Sequence, residues 1–117
     1  MNISQALSKL APGAEWSVNA DDYNQLEWYS TDIPKPTRAQ VEAKIQELKA
    51  AEPMRLLRIE RDRLLAVTDW WAVSDRTMTS EQSAYRQALR DLPDTVTPVL
   101  DPTSRLGISG VDWPVKP

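Results

Sequence analysis

The placement of the prolines constrains the fold of this chain more than any other feature of its sequence. The 117 residues include nine prolines but only three glycines. Proline fixes its own φ angle and has no backbone N–H, so it stops, kinks or restarts a helix. Short proline-containing runs at 33–36 and 112–117 should be extended connectors. The helical patterns of the chain accordingly end or change at Pro12, Pro53 and Pro93.

The composition excludes most catalytic chemistry, because the chain contains no cysteine and no histidine. This absence removes disulfides, thiolate nucleophiles, the usual zinc ligands and the commonest general base at neutral pH. Acid–base or metal chemistry would need paired carboxylates, such as Asp21 with Asp22, or Asp62 with Asp69 and Asp75. None of these sets has a recognisable loop signature, and turn or capping roles are preferred for them. We therefore expect no enzyme, no cofactor and no metal.

Neither nucleic acid nor a membrane is an expected partner. The net charge is −3, from 14 basic and 17 acidic residues, so neutralisation of phosphates is poorly supported. Glu60 and Asp62 interleave with the central arginines, which favours a solvated, salt-bridged helix face. Residues 1–7 show no basic region followed by an apolar one, and no segment reaches the length that crosses a bilayer. We expect a soluble protein that stays in a cytoplasm.

Residues 1–36 contain the pattern of one helix followed by a hairpin. Apolar residues at helical spacing predict an amphipathic helix over residues 2–11. Alternating aromatic and branched residues predict strands at 15–18 and 25–29. An isolated two-stranded hairpin is marginal in water. The first helix or a second protein must therefore cover its apolar side chains, which are Trp16, Val18, Leu26 and Trp28.

The middle of the chain begins with a helical pattern that a proline interrupts. Thr37 and Gln40 have the spacing of a helix N-terminal cap, and the apolar stripe after them predicts a helix that ends near Ala51. Pro53 should kink or restart this helix, because it lacks an N–H and crowds the preceding turn. We place the next helix at 53–67.

A third helical pattern precedes a segment without any helical period. Thr79 and Gln82 have capping-box spacing and predict a helix over residues 80–92. This helix should pack against residues 53–67 as an antiparallel helical hairpin. Residues 94–117 should form an arm that is ordered chiefly by what it touches.

Two adjacent tryptophans follow the second helical pattern, and a hairpin this small cannot bury both rings. We predict that Trp70 closes the hairpin core, that Asp69 caps a turn, and that Trp71 faces a partner. The alternative, in which Asp69 and Trp70 form a partner-contacting edge, stays open. Two alternatives also stand for Trp113 and Pro114, which either anchor the chain on a partner or fold back on its own helical hairpin.

Three segments, taken in order, carry a resemblance to known proteins. They are LRIERDRLLAVTDW at 57–70, AYRQALRDLP at 84–93 and VDWP at 111–114. In this order and spacing they resemble the bacteriophage tail assembly chaperone family. The resemblance implies a protein that binds a tail fibre or tail component, helps it to fold or trimerise, and sometimes remains on the finished particle. The first half of the chain is similar to N-terminal modules of other small phage tail proteins.

The expected fold class is α+β, with a small N-terminal helix plus β-hairpin module at 1–36. A helical region with a central kinked helix and a helical hairpin follows at 37–93, and an extended C-terminal arm at 94–117. The expected function is that of a tail fibre assembly chaperone, with a permanent structural component of the virion tail or fibre as the alternative.

The expected partner is a phage tail fibre or another tail protein, bound in a homo-oligomeric or fibre-symmetric complex. The expected location is the host cytoplasm during assembly, with retention on the virion tail as a further possibility. The predicted partner-binding residues are Asp69, Trp70, Trp71, Tyr85, Trp113 and Pro114.

Overall fold

The computed structural model describes residues 1–117 and has the predicted α+β class. Three helices are present, and they are α1 (Ile3–Leu10), α2 (Arg38–Thr68) and α3 (Ser80–Thr95). Two separate antiparallel sheets have two strands each, and they are β1 (Trp16–Ser17) with β2 (Glu27–Trp28) and β3 (Val99–Leu100) with β4 (Ile108–Ser109). The chain divides into two compact units, Met1–Ala51 and Glu52–Pro117. The three-part division at 36/37 and 93/94 stays a prediction.

The helix α1 opens the first unit and has a capping box at its start. Asn2 Oδ1 accepts from the Gln5 N–H at 2.9 Å, and Gln5 Oε1 accepts from the Asn2 N–H at 3.0 Å. These two bonds satisfy N–H groups that have no partner inside the helix. The helix ends one residue before Ala11, and Pro12 cannot extend it. The predicted helix is therefore confirmed to within one residue at each end.

The hairpin of the first unit is covered by helices, as its marginal stability requires. The pairing register places Trp16 opposite Trp28. The core beneath it consists of Ile3, Ala6, Leu7, Leu26 and Val41, with Trp16, Val18, Tyr23, Trp28 and Ile45 packed around it. Two side-chain hydrogen bonds hold the connector at 33–36 against the rest of the first unit. Trp28 Nε1 donates to the Ile33 carbonyl at 2.9 Å, and Tyr23 Oη donates to the Pro36 carbonyl at 2.6 Å.

The segments on either side of Pro53 form one continuous helix, whereas the sequence predicted a break near Ala51 and a new helix at 53–67. The helix α2 begins after Thr37, and the predicted cap with Gln40 is present, with Gln40 N–H donating to Thr37 Oγ1 at 3.2 Å. Pro53 removes one backbone hydrogen bond, but its fixed φ is compatible with a helix. Apolar side chains on both sides of it are buried in cores, which outweighs that single loss.

The second unit forms around a core to which both helical segments contribute. The buried residues are Leu57, Trp71, Tyr85, Leu89, Leu92 and Ile108. The capping box at the start of α3 is confirmed, because Gln82 N–H donates to Thr79 Oγ1 and Thr79 N–H donates to Gln82 Oε1. The helix continues past Pro93 to Thr95, so the predicted end at residue 92 was three residues early.

The segment 94–117, which the sequence predicted to be an extended arm without regular structure, contains two short strands and packs on the core of the second unit. Its strands β3 and β4 pair with Leu100 opposite Ile108. The loop between them closes at Gly107, whose φ of +79° suits glycine and whose missing Cβ would lie 3.3 Å from Leu56 Cδ1. Ile108 is buried in the core of the second unit, and Leu106, Val111 and Trp113 pack against it.

Candidate functional site

The end of α2 is held by a buried arginine of α3. Arg86 is 9% exposed, and its guanidinium donates to three acceptors that precede it by 17 to 21 residues. Nη1 donates to the Leu65 carbonyl at 2.9 Å and to Thr68 Oγ1 at 2.7 Å, and Nη2 donates to Asp69 Oδ1 at 2.8 Å. The last carbonyl groups of a helix carry partial negative charge, so a cation is stabilised there. We call this set of contacts the Arg86 clamp.

The two adjacent tryptophans that follow Asp69 differ in burial. Trp71 is 3% exposed, and its ring centroid lies 6.0 Å from that of Tyr85. Trp70 is 54% exposed and contacts Trp71 in an edge-on arrangement with centroids 6.2 Å apart. The prediction that Trp70 closes the core and that Trp71 is the exposed ring was therefore wrong, because Trp71 is buried and Trp70 is exposed.

Helical phase explains which of the two rings is buried. The predicted loop after residue 67 is a helical continuation, in which α2 ends at Thr68 and a 3₁₀ turn spans Asp69–Ala72. Leu57, Leu64, Thr68 and Trp71 recur at intervals of seven, four and three residues, which places them on one face. Trp70 therefore falls on a different face and stays outside the core.

Two other exposed apolar residues are close to Trp70 in the sequence. Val67, one turn before it, and Val73, three residues after it, are each 46% exposed. The Arg76 guanidinium carbon lies 4.4 Å from the Trp70 ring centroid, which is a cation–π contact that holds the ring in place. We call Val67, Trp70, Val73 and Arg76 the Trp70 surface. A contiguous exposed apolar patch with polar residues at its edge is a candidate interaction site.

Three arginines of α2, which are Arg55, Arg61 and Arg63, form salt bridges with acidic residues of the same helix, as the sequence predicted. Arg63 donates to both carboxylate oxygens of Glu60, at 2.7 and 2.9 Å, and Arg55 pairs with Glu52 in the same way. The hydrogen bond from Arg63 lowers the pKa of the Glu60 carboxyl, although burial of that carboxyl acts in the opposite direction. These positive charges are therefore compensated within the helix and do not form a free basic patch.

The other predicted site residues have mixed exposure. Tyr85 is buried beside Trp71, whereas the Asp69 side chain is 67% exposed even though one oxygen accepts from Arg86. Trp113 and Pro114 are half-buried, and Trp113 packs on the core of its own unit, which is the fold-back alternative. Trp113 also lines a shallow cavity of about 460 Å³ together with Arg105. The structure thus brings Asp69, Trp70, Trp71 and Tyr85 together at one turn and places Trp113 against the same core.

Sequence reasoning missed the residues that hold and surround the exposed tryptophan. Arg86 was identifiable, since it lies within the apolar stripe of α3 next to Tyr85 and three residues before Leu89. A charged residue at such a position needs a buried partner. Val67 and Val73 carried no comparable signal, because their exposure depends on where the helix ends.

Two further observations bear on the chemistry of the chain. No three acidic side chains come close enough together to hold a metal ion. No helix has both the length and the apolar character that crossing a membrane would require.

Comparison with known proteins identifies the second unit. The sequence profile described as phage tail assembly chaperone protein matches residues 54–117, which is more than half of the chain. No curated protein and no solved structure matches the chain. The matched region contains the Arg86 clamp, the Trp70 surface and the core around Trp71. The chain therefore belongs to the phage tail assembly chaperone protein family.

Proposed function

We propose that this chain binds a tail fibre or another tail protein of its phage and promotes the folding or assembly of that protein in the host cytoplasm. The observation that carries the proposal is the Trp70 surface within the family-matched unit. Binding that stabilises an assembly-competent state needs only a difference in affinity between states, and no reaction. No catalytic residue is invoked.

The Trp70 surface has the properties of a preformed binding site. The Arg86 clamp fixes the end of α2, and the buried Trp71 ring fixes the turn that follows it. A large ring held by its surroundings loses little conformational entropy when a partner covers it. Tryptophan and arginine are also the residue types that contribute most to binding energy in protein interfaces.

The six residues predicted to bind the partner divide into two roles in this proposal. Asp69 and Trp70 contact the partner directly, and the half-buried Trp113 and Pro114 contribute at the edge of the interface. Trp71 and Tyr85 do not contact the partner. Their buried rings pack together and support the turn that exposes Trp70.

The test is co-expression of the full chain with a tail fibre protein of the phage that encodes it. The wild-type chain should co-purify with the fibre protein and raise the yield of soluble fibre. Trp70→Ala should weaken capture by at least about tenfold, since a central tryptophan contributes about 2 kcal/mol or more. The midpoint of thermal unfolding should stay nearly unchanged, because the ring lies outside the core.

Tyr29→Ala is the matched control for this experiment. Tyr29 is 53% exposed, so its removal also deletes an exposed aromatic ring, but one that belongs to the first unit. Capture of the fibre protein should be unaffected by that change. Equal capture by wild type and Trp70→Ala would contradict the proposed site. Stoichiometric amounts of the chain in purified particles would favour the alternative, a permanent structural component of the tail.

A further inference from the structure

Four side chains of the second unit, each close to the next, bring two cations to the two adjacent tryptophan rings. The Arg76 guanidinium carbon lies over the Trp70 ring, 4.4 Å from its centroid. The centroids of Trp70 and Trp71 are 6.2 Å apart, and Lys116 Nζ lies over the Trp71 ring, 5.8 Å from its centroid. We call these four residues the cation–tryptophan cluster. One exposed ring and one buried ring thus have a cation each.

Lys116 reaches the cluster because the segment that carries it packs on the core of the same unit. Trp113, three residues earlier, packs against the core to which the buried Trp71 belongs. Pro114 and Pro117, on either side of Lys116, have fixed φ angles and favour an extended backbone. The position of the Lys116 charge is therefore set by the fold of the second unit.

Both cations of the cluster are exposed, and neither is neutralised by direct pairing. The chain forms five ion pairs, and neither Arg76 nor Lys116 takes part in any of them. Most of the other arginines of the unit contact an acid instead, as Arg63 does with Glu60. The two cations beside the tryptophans are thus available to carboxylates of another molecule.

The acidic residues close to the cluster in sequence do not pair with it. Asp69 accepts from the buried Arg86 at 2.8 Å, which compensates its charge. Asp75 and Asp112 take part in none of the ion pairs, so they reduce the local field without occupying either cation. The whole chain has a net charge of −3. Attraction of an acidic ligand would therefore depend on contact with these two cations and not on overall charge.

The position of Arg76 suits recognition of a carboxylate. A guanidinium group is planar, and a ring that contacts its face leaves the N–H groups at its edges for acceptors. Two such N–H groups can bind both oxygens of one carboxylate. The contact with Trp70 also restricts the arginine side chain, so less conformational freedom is lost on binding. An apolar side chain that packs on the exposed part of the Trp70 ring would lie beside that carboxylate.

We infer that the segment bound by the Trp70 surface carries aspartate or glutamate on both sides of an apolar side chain. The apolar side chain packs on Trp70, and the carboxylates pair with Arg76 and with Lys116. This inference rests on the tail-protein binding proposed above and names the chemistry of the bound segment. Lys116, which lies far from the other surface residues in sequence, thereby becomes part of the binding site.

The test uses the full chain labelled with nitrogen-15 and three synthetic ten-residue peptides. Each peptide has two central leucines, which are flanked by glutamate, by glutamine or by lysine. In heteronuclear NMR titrations at low salt, the glutamate peptide should bind about fivefold more tightly than the glutamine peptide, and the lysine peptide should bind most weakly. The Trp70 indole N–H signal, identified by its loss in Trp70→Phe, should shift on binding. Added salt should reduce the differences between the peptides.

Variants assign the preference for acid to the two cations. The double variant Arg76→Gln with Lys116→Gln should bind the glutamate peptide about fivefold more weakly and leave the glutamine peptide unaffected. Arg76→Lys keeps the charge but not the paired N–H groups, so its affinity should be intermediate. Arg58→Gln is the matched control, because Arg58 is exposed on α2 and takes part in no ion pair and no cation–π contact. It should bind within about twofold of wild type.

Several outcomes would overturn the inference. They are absence of glutamate-peptide binding at millimolar concentration, equal affinity for the glutamate and lysine peptides, unchanged binding by the double variant, and an unmoved Trp70 indole signal. A concentration-dependent dimer that Trp70→Ala abolishes would assign the surface to a second copy instead.

Failure of this inference is distinguishable from failure of the proposed function. Equal capture of the fibre protein by wild type and Trp70→Ala contradicts the proposed binding site itself. If Trp70→Ala weakens capture but the double variant Arg76→Gln with Lys116→Gln captures as wild type does, the site stands and only its preference for an acidic segment is wrong.

Discussion

At the scale of single residues, Arg86 has the largest structural effect that the sequence pattern concealed. Its guanidinium satisfies a helix-end carbonyl, a buried hydroxyl and a carboxylate together, and lysine has no fork that could reach all three. The Asp69 side chain is mostly exposed, so solvent screens its part of the attraction. The contacts with Leu65 and Thr68 therefore account for most of the stabilisation.

Replacement of Arg86 by methionine should lower the free energy of unfolding by about 2 kcal/mol, because the buried hydrogen bonds are lost while similar apolar volume remains. Urea unfolding followed by tryptophan fluorescence measures this change. Arg90→Met is the control, since Arg90 is exposed on the same helix and bonds only to Gln87. The control should shift stability by less than about 0.5 kcal/mol. Equal effects of the two variants would contradict the clamp.

At the scale of elements, the helix α2 is longer than its local sequence favours. Proline in a helix interior is about 3 kcal/mol less favourable than alanine, yet α2 runs through Pro53 for 31 residues. Val41 is buried in one core and Leu57 in another, so both halves of the helix are held by packing. Tertiary burial thus overrides the local preference for a break.

Replacement of Pro53 by alanine should raise the free energy of unfolding by about 2 kcal/mol. The helix recovers one hydrogen bond and loses the steric clash, and the greater freedom of the unfolded chain offsets part of that gain. Far-UV circular dichroism during urea unfolding measures the change. Pro34→Ala, in the extended connector outside the helix, should have no stabilising effect. A stabilisation of similar size at both positions would show that the helix is not the cause.

At the scale of the whole molecule, the family match and the compact units have nearly the same boundary. The profile covers residues 54–117, and the second unit covers Glu52–Pro117. The family region therefore coincides with one folded unit that includes β3, β4 and Trp113. The first unit has its own core around Leu7.

Deletion of residues 94–117 should lower the thermal unfolding midpoint of the second unit by about 10 °C or more. The deletion removes the buried Ile108 together with Leu106, Val111 and Trp113, which pack on the same core. Differential scanning calorimetry measures this shift. Deletion of 115–117 alone removes exposed residues and should change the midpoint by less than about 2 °C. A full-length midpoint after the longer deletion would mean that this segment does not stabilise the core.

The sequence by itself determined the features that depend on residues close together in the chain. The caps at Thr37 and Thr79 need partners three residues away, and both formed as predicted. The α+β class followed from short-range periodicity. The family followed from a resemblance to known proteins that three local segments carry in order. Each of these signals is complete within a few turns of backbone.

Only the tertiary structure decided which side chains of the site are buried. The exposure of Trp70 and the burial of Trp71 depend on the exact end of α2, and Arg86, 18 residues after Thr68, holds that end in place. The packing of Trp113 likewise depends on a core built by distant helices. Contacts between residues far apart in sequence leave no local period, so the physical reason for these outcomes appears only when the chain is folded.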